Sequence, residues 1–218
     1  MNYDDTSAEE RAKANDLRRR AYARSARRYD KQIGFCERRV LGTDHRPWAC
    51  SRAIGRTLEV AVGTGLNLPH YPDGVELVGL DLSPEMLALA VDRANDLGRS
   101  VDFKEGDAQE LPFPDATFDT VVCTFSLCGI PDVERTIAEM RRVLRQGGRL
   151  ILVDHIASSV KPIYWLQRFI EFFSKRTEGE YQTRRPMIQV KEAGFVVQDH
   201  ERLRAGVMER LVALKPIS

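Results

Sequence analysis

The sequence predicts an α/β protein built on a mostly parallel sheet. Three observations carry the prediction. The stretch Leu58-Glu59-Val60-Ala61-Val62-Gly63-Thr64-Gly65 reads as a strand covered on both faces that ends in a glycine turn. Between residues 57 and 155, strand-like and helix-like segments alternate. Two late strand candidates, residues 195–204 and 207–215, flank Ala205-Gly206 and read as an antiparallel hairpin.

Taken in order, residues 1–7 read as a frayed start. Residues 7–41 have a helical pattern, as one helix or as two broken near Gly34. Tyr22, Ala26, Tyr29, Ile33, Cys36 and Val40 fall on one face of it. The other face is basic, with Arg18, Arg19, Arg20, Arg24, Arg27, Arg28, Arg38 and Arg39. Two readings fit: a solvated face over a packed stripe, or a basic amphipathic helix that touches lipid or caps a pocket. Residues 42–51 read as a connector.

Strands are expected at 57–62, 75–81, 101–105, 118–123 and 149–155, and helices at 67–71, 84–97 and 133–144. Ser83-Pro84-Glu85 is a good helix start: a capping hydroxyl, a proline in the first turn and an acid near the positive end. Gln146-Gly147-Gly148 reads as a helix stop. An aromatic segment at 163–173 and a further helix at 180–193 complete the chain. Residues 1–50 are expected to form a helical cap, or lid. Residues 51–218 would be the main domain, with an aromatic insertion at about 158–180.

Whole-chain properties exclude several classes. At 218 residues, 43% apolar and 30% charged, the chain has the makeup of one globular domain. A formal charge of +1 gives no overall drive toward nucleic acid. Cys36, Cys50, Cys123 and Cys128 show no C-x-x-C spacing, so no metal site is expected, and a reduced, cytoplasmic protein is the simplest reading. The acidic amino terminus is not a secretory signal, and no apolar run reaches membrane-spanning length. The sequence sets no oligomeric state.

The glycine turn narrows the ligand. A dinucleotide site wants G-x-G-x-x-G, and here Leu68 stands where the third glycine would be. No Gly-Lys-Ser/Thr ending is present for a phosphate loop. Asp81, at the end of the second strand, can accept two ribose hydroxyls. Asp107, just past the third, can accept a hydrogen bond from an exocyclic amine. The ligand inferred is a nucleoside without a demand for phosphate.

These residues resemble the class I S-adenosylmethionine-dependent methyltransferases, of the small-molecule group similar to the ubiquinone/menaquinone methyltransferases. The resemblance runs from about residue 22 to 152. It rests on Glu59 to Gly65, Asp81, Gly106-Asp107-Ala108, Phe118-Asp119-Thr120-Val121-Val122, residues 142–150, and the Tyr29-Asp30 pair of the cap. Ala61 departs from the pattern, standing where the family often has its first glycine. Two subgroups are also similar: thiol methyltransferases of animals, through residues 122–128 and Asp154-His155 with Trp165 and Gln167, and bacterial phosphatidylethanolamine N-methyltransferases, through residues 65–69 and 80–87.

The resemblance implies a Rossmann-like, seven-stranded, mostly parallel sheet with helices on both faces. It implies S-adenosyl-L-methionine as cofactor, and methyl transfer to O, N or S of a small, fairly apolar or lipid-like acceptor, with quinone C-methylation and phospholipid N-methylation as alternatives. A cofactor-binding regulator is the non-enzymatic alternative, and the intact motif set speaks against it. Glu59 would meet the amino group; Ala61, Gly63, Gly65 and Asn67 would line the turn; Asp81 would hold the ribose; Leu82 and Met86 would flank adenine; Asp107 and Ala108 would face its polar edge; Thr124 and Phe125 would edge the methyl. Tyr22, Tyr29, Ile33, Leu127, Tyr164, Trp165 and Phe169 are the acceptor-pocket candidates, although the last three could instead pack the insertion onto the sheet. His155 is the candidate base, or simply a strand end, and Tyr29 is the second catalytic candidate. No nucleic-acid partner is expected. Peripheral membrane contact would run through the basic first helix.

Overall fold

The computed structural model describes residues 8–177 and 179–217. The expected frayed start at residues 1–7 lies outside the described residues, as does the side chain of Arg27 on the expected basic face. The elements are α1 (Ala8–Cys36), a π-helical turn (Glu37–Leu41), α2 (His45–Cys50), β1 (Arg56–Val60), a 3-10 turn (Leu68–His70), β2 (Glu76–Asp81), α3 (Pro84–Asp96), β3 (Val101–Glu105), β4 (Phe118–Thr124), α4 (Val133–Val143), β5 (Leu144–His155), α5 (Lys161–Thr177), α6 (Pro186–Glu192), β6 (Val196–Leu203) and β7 (Met208–Leu214).

The strands form one sheet in the order β3-β2-β1-β4-β5-β7-β6. Strands β1 to β5 pair in parallel, and β7 pairs antiparallel to both β5 and β6. The strand order reverses between β1 and β4, so the crevice beyond their carboxyl ends is where a ligand seats.

Alternation along the central strands splits the core in two. Val121, Cys123, Leu150 and Leu152 join Leu58 and Val60 against Ile137, Met140 and Val143 of α4. Val122, Ile151 and Val153 face the opposite way, onto Ala49 and Cys50 of α2 and Ala94 of α3. Helix α3 starts as its sequence dictates: Ser83 Oγ accepts the Met86 N–H at 3.3 Å, with Pro84 in the first turn.

Several expectations need correction. Helix α1 runs through Gly34 without a break. Its apolar stripe ends early: Ala26 is buried, whereas Cys36 and Val40 are exposed. The connector holds α2, whose Ala49 and Cys50 are fully buried, so this part of the expected cap belongs to the core. The helix expected at 180–193 is only Pro186–Glu192. The chain before it is extended because its amides are spent elsewhere: Tyr181 N–H donates to the Cys128 carbonyl at 2.9 Å, and the N–H groups of Gln182 and Thr183 donate to Glu171 Oε2 at 2.8 Å each. Gln146-Gly147-Gly148 lies within β5, where the register with β4 shifts.

Candidate active site

A cleft of about 730 Å³, open to solvent, lies over the carboxyl ends of β1, β2 and β4. Its floor includes Ala61, Gly63, Asp81, Leu82, Met86, Asp107, Ala108 and Phe125, eight of the twelve expected cofactor residues. A smaller polar recess of about 270 Å³ shares Tyr29, Ala61, Gly63 and Ser126 with it and adds Glu59, Arg46, Thr64 and Thr124. Helix α1 forms the roof with Asn15, Arg18, Arg19, Tyr22 and Tyr29.

The floor is built by the glycine turn. Gly63 has φ +57°, and a Cβ there would meet nothing within 4 Å, so the missing side chain opens onto the cleft. At Gly65 (φ +79°) a Cβ would stand 2.8 Å from Leu68 Cδ1, so this glycine serves packing and not the ligand. Ala61 adopts φ +57° and Phe125 φ +54°, left-handed conformations that cost a side-chain-bearing residue energy and cluster at functional sites.

Asp81 is buried. Its Oδ2 accepts the Gly63 N–H at 2.8 Å and its Oδ1 accepts the Ser83 N–H at 2.9 Å. A carboxylate has about four acceptor sites, so it retains capacity for two ribose hydroxyls. Burial pushes its pKa up. Asp107 faces the same cleft, but its Oδ2 accepts from Asn15 Nδ2 at 2.6 Å and its Oδ1 from the Gln109 N–H at 2.9 Å. This edge of the cleft is thus tied to the roof.

The polar recess suits an amino acid. Glu59 is 2% exposed, and burial pushes its pKa up to about 7. Its Oε1 accepts from Asn67 Nδ2 at 2.8 Å, and the nearby Tyr71 hydroxyl and Asn67 offset part of the burial. Arg46 donates through Nη1 to Asn67 Oδ1 at 2.9 Å and forms an ion pair with Glu37 at 2.7 Å. An acid and an arginine lining the same recess fit the ammonium and the carboxylate of a methionine moiety. Asn67 itself is fully buried and lines neither cavity; it spaces Arg46 and Glu59 from behind, which corrects its expected role.

Helix α1 is pinned as a roof. Thr64 Oγ1 donates to Asp30 Oδ1 at 2.6 Å, and Arg93 pairs with Asp30 Oδ2 at 2.5 Å. Asp30 therefore holds the cap to the glycine turn from one side and to α3 from the other. Arg19 pairs with Glu105 at the end of β3.

The acceptor side differs most from expectation. Tyr22 and Tyr29 line the cleft, packed edge to face with centroids 6.3 Å apart. Burial raises the pKa of both phenols, so they stay neutral hydroxyls and not bases. Leu127 is 1% exposed and belongs to the core beneath, and Ile33 lines neither cavity. Trp165 and Phe169 are 69% and 65% exposed: α5 turns its aromatic face outward, and Tyr164 packs against Trp165 and lines no cavity among those described. The reason is polar. Gln167 donates to the Ile156 carbonyl at 2.9 Å and accepts the Ser158 N–H at 2.8 Å, and Glu171 holds residues 182 and 183, so the polar residues fix the inner face.

His155 lines neither cavity. Its Nδ1 lies 3.3 Å from Asp154 Oδ1, and Cys128, Asp154 and His155 bring their side-chain heteroatoms within 4.8 Å of one another. Burial opposes charging of His155, but its hydrogen bonds to Cys128 and Asp154 and the charge of the Asp154 carboxylate outweigh it and hold its pKa well above the usual value. Asp154 Oδ2 accepts the N–H groups of Ser126 and Cys128 at 3.2 and 3.3 Å, so this cluster shapes the loop after β4 from behind. Burial raises the Cys128 thiol to about 11, which leaves it protonated at neutral pH.

Sequence reasoning missed Arg46, Asn15 and Arg18. Arg18 read as part of the basic face and Arg46 as part of a connector, and only their burial, 5% and 9% exposed, marks them.

Comparison with known proteins agrees with this geometry. Residues 58–152 match the model of the methyltransferase domain. Over 121 residues the chain is 43% identical to a phosphatidylethanolamine N-methyltransferase of Cereibacter sphaeroides, covering 55% of this chain and 60% of that protein. Over 124 residues it is 44% identical to a demethylmenaquinone methyltransferase of Deinococcus radiodurans, covering 52% and 51%. The chain thus matches between half and two thirds of the length of these relatives. The YcgJ protein of Bacillus subtilis shares the fold with a TM-score of 0.65 at 22% identity, over 79% of this chain and 97% of that one. Residues 58–152, which carry β1 to β4 and much of the cleft floor, are thus similar to the methyltransferase domain, and the sheet as a whole shares the fold of these proteins.

Proposed function

We propose that the chain transfers a methyl group from S-adenosyl-L-methionine to a small, fairly apolar or lipid-like acceptor. One observation carries the reading: a cleft with a ribose acid, Asp81, adjoins an amino-acid recess with Glu59 and Arg46, and the two share Tyr29, Ala61, Gly63 and Ser126. The cofactor supplies an activated methyl on a sulfonium. The protein's part is positional. Asp81 and Asp107 orient the nucleoside, Glu59 and Arg46 the amino-acid end, and Tyr22, Tyr29 and residues 126–131 leave room for an acceptor beside the recess. The neutral phenols and the protonated Cys128 offer no base at neutral pH, so the acceptor's own lone pair does the attacking. Residues 8–41 act as the lid of this site.

We further propose that the protein works against an anionic bilayer. Trp165, Leu166, Phe169, Ile170, Phe172 and Phe173 of α5 are all 46% to 69% exposed. Lys161 and Lys175 are exposed near its two ends, and the helix's one acid, Glu171, is turned inward. Arg20, Arg24 and Arg28 add exposed positive charge on α1. An apolar face rimmed by cations suits an interfacial helix. No helix among the described residues is long and apolar enough to cross a membrane.

The test is transfer of label from methyl-labelled S-adenosylmethionine to a panel of phospholipids, quinols, amines, phenols and thiols. Label should appear in one acceptor class and vanish in Asp81→Ala. Label in none of them, with the cofactor bound, would return the chain to the regulator reading.

A further inference from the structure

Arg18 lies in the roof of the cleft and is 5% exposed. Its Nη2 donates to the Gly179 carbonyl at 2.6 Å. Its Nε and Nη1 are buried and have no hydrogen-bond partner among the described residues. A cation withdrawn from water with donors left over is a costly arrangement, and such groups persist where a partner arrives. Burial lowers the pKa of Arg18, and the surrounding Tyr22, Tyr181, Cys128 and Glu180 offset only part of that. The neighbouring Arg184 has its guanidinium on the carbonyls of Leu127, Ile130 and Pro131.

The cofactor does not supply the missing partner. Its carboxylate belongs with Arg46, at the other end of the floor, and its adenosine is neutral. Its sulfonium is positive and would repel a guanidinium. The space beside Arg18 is the acceptor corner: a Cβ on Gly129 would stand 3.4 Å from Tyr22 Oη and 3.8 Å from Arg18 Nε.

We propose that Arg18 recognises an anionic oxygen of the acceptor, of the kind a phosphate group carries, in the corner formed with Tyr22 and Gly129. The inference rests on the methyltransferase reading and deepens it: the acceptor brings a negative charge to the site as well as a nucleophile. A phospholipid headgroup and a free phosphomonoester share this chemistry.

The experiment is calorimetry on the full chain saturated with S-adenosylhomocysteine. The probes are inorganic phosphate, glycerophosphoethanolamine and, as the uncharged-oxygen control, ethanolamine. Both phosphates should bind and ethanolamine should not. Arg18→Gln should weaken both at least tenfold and keep S-adenosylhomocysteine affinity within twofold, while Arg18→Lys should retain part of the binding. Gly129→Ala, which narrows the corner and leaves Arg18 in place, should weaken the same probes if Arg18→Gln does not fold. Tighter binding of the diester identifies a headgroup as the source, and tighter binding of inorganic phosphate a soluble one. The inference is overturned if the saturated protein binds neither phosphate, or if Arg18→Gln or Gly129→Ala binds them as wild type does. Failure of S-adenosylhomocysteine itself to bind would instead overturn the cofactor reading.

Discussion

Helices α1 and α5 both carry aromatic residues at helical spacing, and they use them in opposite ways. Helix α1 turns Tyr22 and Tyr29 into the cleft. Helix α5 turns Trp165, Phe169, Phe172 and Phe173 to solvent. The difference lies in where the polar anchors fall. Asp30 fastens α1 to Thr64 and Arg93, which leaves the tyrosines over the glycine turn. Gln167 and Glu171 fasten α5 by its polar side, which expels the aromatics. Aromatic periodicity identifies a face; the few buried hydrogen bonds decide which way that face points.

The largest effect should come from α5. The double substitution Trp165→Ser/Phe169→Ser removes apolar surface available for insertion, about 3 kcal/mol between the two side chains, roughly a hundredfold in partitioning. Flotation with vesicles rich in phosphatidylglycerol should show that loss, while S-adenosylhomocysteine affinity stays within twofold. If the double variant loses cofactor affinity instead, α5 lines the site and the contrast between the helices collapses.

Helix α1 should behave in the reverse manner. Asp30→Ala loses the bonds to Thr64 and Arg93, about 1–2 kcal/mol once partial exposure of the ion pair is allowed for. Cofactor affinity should drop about tenfold by calorimetry, with vesicle binding kept. Equal affinity would mean the roof is held by other contacts.

A third prediction concerns the floor that α1 covers. Glu59 must be ionised to meet an ammonium, and its pKa in the ligand-free protein is about 7. Between pH 8 and pH 6 the affinity for S-adenosylhomocysteine should therefore fall about tenfold, and Glu59→Gln should flatten the profile. The sign for stability is the reverse of that for a salt-bridged acid. Because folding raises this carboxyl, ligand-free stability declines as pH rises from the ordinary carboxylate range through about 7. The smallest effect belongs to Ala61→Gly, which relieves a left-handed alanine and should stabilise the protein by about 1 kcal/mol in denaturant melts. A destabilised variant would show that the φ of +57° costs nothing here.

The parts legible in the sequence are those where local chemistry and fold agree. The strand at Leu58 to Val60, the glycine turn, the Ser83 cap and Asp81 each announce themselves over a few residues, and eight of the expected cofactor residues line the main cleft. The parts that were not legible depend on long-range polar contacts. Arg46 and Arg18 look like any surface arginine until 21 and 161 residues of separation are closed by Asn67 and Gly179. Leu127 and His155 stand next to the site in sequence, yet the core and Asp154 take their side chains. Residues 180–185 have helical composition but are drawn straight by Cys128 and Glu171.

The most direct test of the central claim is a calorimetric titration of S-adenosylmethionine into the full chain, beside Asp81→Ala. Saturable binding of one cofactor per chain is predicted, weakened at least tenfold when two ribose hydrogen bonds are lost with the carboxylate. Absence of saturable binding, or equal affinity in the variant, would contradict it.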